Sequence, residues 1–331
     1  MKKLLFLTLL IISFLFFVRE LIIPAWIIVS PPDAKSIAVT IPEGSTLATT
    51  AVLLEQSHLI KSSFWYRVYG RINKNATKIK AGEYGLKEGS NFSSFARILA
   101  RGPVREELNI TIPEGWTIFD IQNRLEELGV DIAPSDFYAE RFADEFPFLK
   151  DLPAKATLEG FLFPDTYRVW ADDLPDGLFR KQLGEFSIRT VELRADLNRD
   201  HRDLYDVLTL ASIVEKEAKH DEDRPKIASV FQNRLDAGMR LQSDATLNYV
   251  TRSGKERLNA KDLENTSLYN SYQYVGVPPT PISNPGLASF ESAVHSAKTN
   301  YFFFLTDSNG KAYFGRNLEE HSANRYRVFG Q

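Results

Sequence analysis

The sequence predicts an α+β protein carried on an N-terminal transmembrane helix, on three observations. Two lysines open the chain ahead of a long apolar run. A strand-like stretch with a turn and a helix start behind it occurs twice in the first half. The second half mixes helical segments, one strand-like stretch and a hairpin in unequal proportion, which suits α+β better than a regular β/α alternation. At 331 residues the chain is long enough for two or three domains with their own cores. Hydrophobic residues make up 44% and charged residues 25%, as in ordinary folded proteins. A net charge of −3 leaves no basic footprint, so nucleic acid is set aside as a partner. There is no cysteine. Disulfides, a thiol nucleophile, cysteine-ligated zinc and a lipidated cysteine anchor are thereby excluded, but the compartment is not decided.

Lys2 and Lys3 precede LLFLTLLIISFLFFV (4–18), an apolar run of fifteen residues. Arg19 and Glu20 interrupt it, and LIIPAWIIV (21–29) follows. Fifteen helical residues rise only about 22 Å, against a hydrocarbon core of about 30 Å. The span is therefore expected to continue past Arg19 and Glu20, whose side chains snorkel or pair near an interface. Trp26 then falls in the outer interfacial belt. The opening also resembles a secretory signal peptide, but no small-residue cleavage site is convincing. Residues 1–30 are expected to form a retained single-span anchor, with cleavage as the alternative. The lysines favour a cytoplasmic start and place the chain beyond about residue 30 outside.

TIPEGSTL (40–47) and TIPEGWTI (111–118) agree at six of eight positions. Each predicts a short strand, a Pro-Glu-Gly turn and a Ser/Thr-led helix start. The first copy continues through ATTAVLLEQ, a second helix at 62–72 and a strand at 81–86. This β-α-α-β order over 36–105 resembles a LysM glycan-binding module, although Ser45 stands where that module usually has Asp. A pair of packing units without a ligand is the alternative. RGPV (101–104) marks the boundary, and 106–156 is a second, partial repeat and connecting region.

From 157 to 331 the composition changes. TLEGFLFPDTYRVW (157–170) is dense in aromatics and ends in a strand-like stretch. Helices are expected at about 176–196 and 203–219, then from Pro225, suited to a first turn, to Gly238, suited to a stop. A Pro- and Tyr-rich loop (267–286), a short helix near 287–297 and a hairpin turning at Asn309-Gly310 complete the pattern.

ASIVEKEA (211–218) places two glutamates along an apolar seam. At 100° per residue, Val207, Leu210, Ala211, Val214 and Ala218 form a buried stripe and Lys216 lies roughly opposite. Glu215 and Glu217 fall on opposite edges, about 160° apart, so they are not expected to serve one site as a pair. A half-desolvated glutamate at such a rim keeps a proton near neutral pH, as a general acid must. A solvated edge residue is the plainer reading of the helix alone. The aromatic EGFLFPDTY, the polar QSDATLNYV and the Pro-Tyr loop add stacking faces and hydrogen-bond donors suited to a sugar groove.

LEGFLFPDTY (158–167), LASIVEKEA (210–218), IASVFQNRLDAGMRLQSDATLNY (227–249), YNSYQYVGVPPTPISNPG (269–286) and HSAKTNYFFF (295–304) occur in that order. Together they resemble the MltG-type (YceG-like) endolytic murein transglycosylases of the bacterial cell envelope. The resemblance covers nearly the whole chain and implies a mixed α+β YceG-like catalytic domain over 157–331. It implies a single-pass protein of the cytoplasmic (inner) membrane with that domain on the outer, periplasmic side. Peptidoglycan glycan strands are then the substrate, peptidoglycan synthases are natural partners by location, and no cofactor or metal is required. The family's acid/base is the first glutamate of IVEKE, which is Glu215 here. It would protonate the glycosidic oxygen between N-acetylmuramic acid and N-acetylglucosamine, then take the proton of the muramoyl C6 hydroxyl as that oxygen attacks C1. The product is a 1,6-anhydro end, and one carboxylate suffices. Glu217 is expected to make a structural salt bridge or hydrogen bond. Glu159, Gln242, Ser243, Asp244 and Asn270 are candidates to hydrogen-bond the sugars, and Tyr249, Tyr269 and Tyr272 to stack on them. Two departures stand out: Thr280 replaces a Gly of the family's loop and Val277 a Leu. The first would reshape the loop if a positive φ were required.

Two alternatives remain: a membrane-tethered peptidoglycan binder without catalysis, and a hydrolytic muramidase, for which Asp244 is the candidate second carboxylate. A penicillin-type serine acyltransferase is rejected, because Ser308 and Lys311 straddle the hairpin turn and no Lys-Thr-Gly partner exists. His58, His201, His220, His295 and His321 form no His-Glu-x-x-His pattern. His220 with Asp221, Glu222 and Asp223 is better explained as a solvated loop than as a cation site.

Overall fold

The structure is a computed structural model that describes residues 2–27, 33–255 and 258–330. The side chains of 2–5 and 26–27 lie outside the described residues, so the expectation for Trp26 falls there too. The chain divides into two compact units, Met1–Arg105 and Glu106–Gln331.

In the first unit, helix α1 (Lys2–Phe17) runs into a π-helical stretch, Val18–Ile27, that contains Pro24. Phe6–Ala25, 20 residues with a mean hydropathy of 2.4, is long and apolar enough to cross a membrane by length and composition. Arg19 and Glu20 pair at 3.2 Å within it, while Leu21 and Ala25 are buried in the unit's own core. Strand β1 (Ser36–Ile41) pairs antiparallel with β2 (Gly82–Lys87), Ser36 opposite Lys87 and Ile41 opposite Gly82. Val39 and Ile41 point inward from one strand, Tyr84 and Leu86 from the other, the period of two that a one-sided sheet demands. Between them lie α2 (Leu47–Gln56), started by a Thr46–Thr49 capping box, and α3 (Ser63–Ile72). Helix α4 (Phe92–Arg101) closes the core with Phe92, Phe95, Ala96 and Leu99.

In the second unit, β3 (Glu107–Thr111) pairs antiparallel with β4 (Thr166–Trp170), Glu107 opposite Trp170. Helix α5 (Ile118–Glu127) follows β3 through the second Pro-Glu-Gly turn, its first turn fixed by Thr117 and Asp120. Helices α6 (Asp176–Arg189), α7 (Val191–Arg199), α8 (Leu204–Glu217), α9 (Arg224–Asp236) and α10 (Asp244–Thr251) come next. The unit ends with α11 (Leu287–Val294), the hairpin of β5 (Phe303–Thr306) and β6 (Ala312–Gly315), and α12 (Leu318–Phe329). Residues 110–149 share one hydrophobic core with those from 158 onward. Helix α8 runs through that core. Asp203 caps it by accepting from the Asp206 N–H. Every residue from Val207 to Val214 is buried, because α9, α10 and α11 cover what the helical wheel leaves as a solvent face. Each large apolar side chain so buried contributes roughly 1.5–3 kcal/mol.

Three differences from the expected elements have physical causes. The segment expected as one helix at 176–196 breaks at Thr190, whose hydroxyl donates to the Phe186 carbonyl and whose backbone leaves the helical region (φ −106, ψ 9). Helix α10 is too short to show a period. Helix α12 buries no residue and so carries no apolar stripe. The hairpin turns at Gly310, with φ +86.

Candidate active site

Glu215 sits in the last turn of α8, and its side chain is only 8% exposed. One carboxylate oxygen faces the Arg224 guanidinium at 3.3 Å, and the other accepts the Gly286 backbone N–H at 3.0 Å. Arg224 opens α9 and also donates to Asp221 (3.0 Å) and to the buried Ser289 hydroxyl (2.8 Å). Gly286 is the N-cap of α11. Three helix ends thus meet on one carboxylate, and the cation and the helix-start amide both suit negative charge there.

A second carboxyl group lies beside it. Glu114, the glutamate of the second Pro-Glu-Gly turn, lies against Gly286, where its Oε1 occupies the space that a Cβ would need. Glu114 stays accessible to solvent and accepts no hydrogen bond among the described residues. Partial burial of its carboxyl end, followed by the charge of Glu215 and then of Asp221, holds that carboxyl above the usual range, and Arg224 opposes the shift. The turn is anchored from both sides. Gly115, at φ +75, donates its N–H to the Asn284 carbonyl (2.8 Å) and accepts the Lys216 ammonium (3.1 Å) on its own carbonyl. The Asn284 N–H returns to the Trp116 carbonyl at 2.7 Å.

Glu159 lies behind this turn and is fully buried. It accepts from the Ile118 N–H (3.2 and 3.1 Å), the Tyr249 hydroxyl (3.0 Å) and the Asn284 amide (3.0 Å). Burial, outweighing the Ile118 and Tyr249 hydrogen bonds, pushes its carboxyl up to about 8. A carboxyl so enclosed ties α5, α10 and the 284 loop together and has no face left for a sugar, which corrects its expected contact role. Tyr249 and Tyr269 are half-buried with ring centroids 5.4 Å apart, and Phe119 adds a third ring 6.0 Å from Tyr249. The Tyr269 hydroxyl meets that of Thr280 at 2.7 Å. Thr280 is not among the positive-φ residues, so replacing glycine there strains nothing in the backbone.

The remaining expected residues collect on the other edge of α8. Ser243 donates to Glu217, whose carboxyl is raised by burial. Tyr272 donates to Asp244, and the Asp244 charge bears on Glu217. Glu217 thus makes the hydrogen bond across the unit expected of it. Asp244 is recorded with this cluster and not with Glu215. Gln242 is exposed, with its backbone in the left-handed region at φ +53. Asn270 is completely buried: its amide donates to the Leu263 and Asn265 carbonyls and accepts the Tyr272 N–H. Asn270 therefore fixes its loop and is not available to a ligand, a second correction with the same cause. Sequence reasoning missed Glu114, Arg224 and Gly286. The only signal for the first was the repeated Pro-Glu-Gly.

Two carboxyl groups side by side, one of them clamped by an arginine and an amide, form equipment for acid–base chemistry on a polar substrate. The chain belongs to the YceG-like family, whose model matches residues 39–327. It is 32% identical over 306 residues to an endolytic murein transglycosylase of Bacillus subtilis strain 168, covering 88% of this chain and 84% of the relative. A protein of the same name from Streptococcus pneumoniae strain D39 is 31% identical over 328 residues, 89% of this chain but 59% of its own length. A crystal structure of a YceG-like protein from Listeria monocytogenes aligns with a TM-score of 0.59 at 32% identity, over 88% of this chain and all of that one.

Proposed function

We propose that this chain is an endolytic murein transglycosylase that cleaves peptidoglycan strands to 1,6-anhydro ends, with Glu215 as its acid/base. The observation that carries the reading is the seat of Glu215: a nearly buried carboxylate at the meeting of α8, α9 and α11, in a chain 32% identical to a relative bearing that activity in its name. As the glycosidic bond breaks, the acid protonates the leaving oxygen. The muramoyl C6 hydroxyl then attacks C1 and returns a proton to the carboxylate, so no water is consumed. Tyr249, Tyr269 and Phe119 offer half-buried ring faces for stacking, and Gln242 an exposed amide.

The apolar N-terminal helix supports a single-pass anchor in the cytoplasmic membrane with the rest outside, following Lys2 and Lys3. The β1-α2-α3-β2 order supports a LysM-like glycan-holding module. A groove in it is lined by Glu43, Ser45, Thr49, Val52 and Arg67. Peptidoglycan synthases are proposed as neighbours on location alone.

The full-length protein in detergent is tested on purified peptidoglycan, with fragments identified by mass spectrometry beside Glu215→Gln. Anhydro ends that vanish in the variant are expected, a loss of at least about a thousandfold. Glu114 supplies the one observation favouring a hydrolytic muramidase, since hydrolysis needs a second carboxylate. Yet two carboxyls lying against the same glycine do not flank a sugar ring from opposite sides, as hydrolysis requires. Reducing ends in the digest would decide for the muramidase, and retained binding without release for a binder.

A further inference from the structure

The proposed reaction gives Glu215 two tasks, first as acid and then as base, but its two oxygens are already occupied by Arg224 and the Gly286 amide. Glu114 lies on the open side of the same glycine, within reach of solvent, and has no hydrogen-bonding partner of its own among the described residues. We propose that Glu114 is the second carboxyl group of this centre and positions the proton: Glu114 and Glu215 share one proton over Gly286, so that a proton is at hand when a glycan strand arrives. This rests on the transglycosylase reading.

The proton count closes. The pair starts with one proton. That proton goes to the leaving oxygen as the C1–O bond breaks. The C6 hydroxyl forms the new C1–O6 bond and gives its own proton to the pair. The centre ends as it began, with no water, oxidant or cofactor needed. Two like charges held side by side resist joint ionisation, and partial burial and the charge of Glu215 raise the Glu114 carboxyl in the same sense. Around Glu114 the charged groups are Glu215 and Lys216 on α8, Asp221 in the turn after it and Arg224 on α9. The facing part of α11 supplies only the Gly286 amide and the Ser289 hydroxyl. Glycine at 286 is what admits the arrangement. Any side chain there would displace the Glu114 carboxyl, the free end of a flexible chain, and would leave the backbone alone.

The test is the pH profile of anhydro-product formation by the full-length protein. Glu114→Gln removes the raised carboxyl from the centre. The alkaline limb is expected to move down by about one pH unit. The rate falls less below the limb than above it, where the loss is about tenfold. Glu114→Asp is expected to restore the parental limb. Gly286→Ala, which changes no charge, is expected to move the limb the same way as Glu114→Gln. Thermal melts check that all three variants fold. An unmoved limb in Glu114→Gln, or a uniform loss at every pH, overturns the proposal while leaving the transglycosylase intact. If the parent protein makes no anhydro product at any pH, the underlying reading fails and this role falls with it.

Discussion

Glu159 has three donors aimed at it and no cation in contact, yet it is sealed from water. Its carboxyl is raised from 4.5 to about 8, so the folded state holds a proton that the unfolded chain releases earlier. The stability this proton confers is complete below about pH 4.5 and is lost as pH rises through about 8. Glu217, also raised by burial, works in the same direction. Urea midpoints are therefore expected to fall between pH 5 and about 8.5, and Glu159→Gln, neutral throughout, to flatten that slope. Shifting the midpoint equally at all pH values would refute the assignment. At this scale Glu215 was singled out by the resemblance of its IVEKE motif, since the helix alone left a solvated edge residue as the plainer reading. Glu114 was not. It sits in a polar turn where glutamate is unremarkable, and its position becomes unusual only when residue 286 arrives beside it.

The elements around the site are locked by Asn284. Its side-chain Oδ1 accepts the Gly160 and Leu162 N–H groups at 2.8 and 2.9 Å, and its Nδ2 donates to the Trp116 carbonyl and to Glu159 at 3.0 Å. Asn284→Ala strands two buried N–H donors, at about 1–3 kcal/mol each. The variant is expected to lose about 3 kcal/mol in chemical denaturation and most of its activity together, since the same amide also holds the Trp116 carbonyl beside the Glu114 turn. A milder check is Asp203→Ala, which removes the α8 cap and is expected to cost about 1 kcal/mol without a change in product. Among the elements, α8 and α9 were readable from period and termini. The α6–α7 break was not, because the Thr190 backbone leaves the helical region with neither Gly nor Pro to mark it. The buried residues of α8 exceed the expected stripe, because packing from three other helices cannot be seen in one helix's pattern.

At the scale of the whole molecule, the described residues form two cores, one in each unit, and three separate two-stranded sheets in place of a common one. Residues from Glu106 onward, with Glu114, Glu215, Arg224 and Gly286 all among them, are expected to fold alone in one cooperative transition. Coincident far-ultraviolet and fluorescence transitions would bear this out, and separated ones would count against it. Mixed α+β character was visible in the unequal run of elements. The pairing of β3 with β4 was not, since more than fifty residues separate Thr111 from Thr166 and no local pattern encodes so distant a partner. That long-range construction also sets a schedule. The amide that holds Glu215 and the glycine that seats Glu114 are the same residue, Gly286, while the glutamates and Arg224 are made well before it. A chain still emerging from the ribosome carries its acidic groups without the place that joins them. The place is not complete until residue 286 has been made, a delay written into the order of the chain.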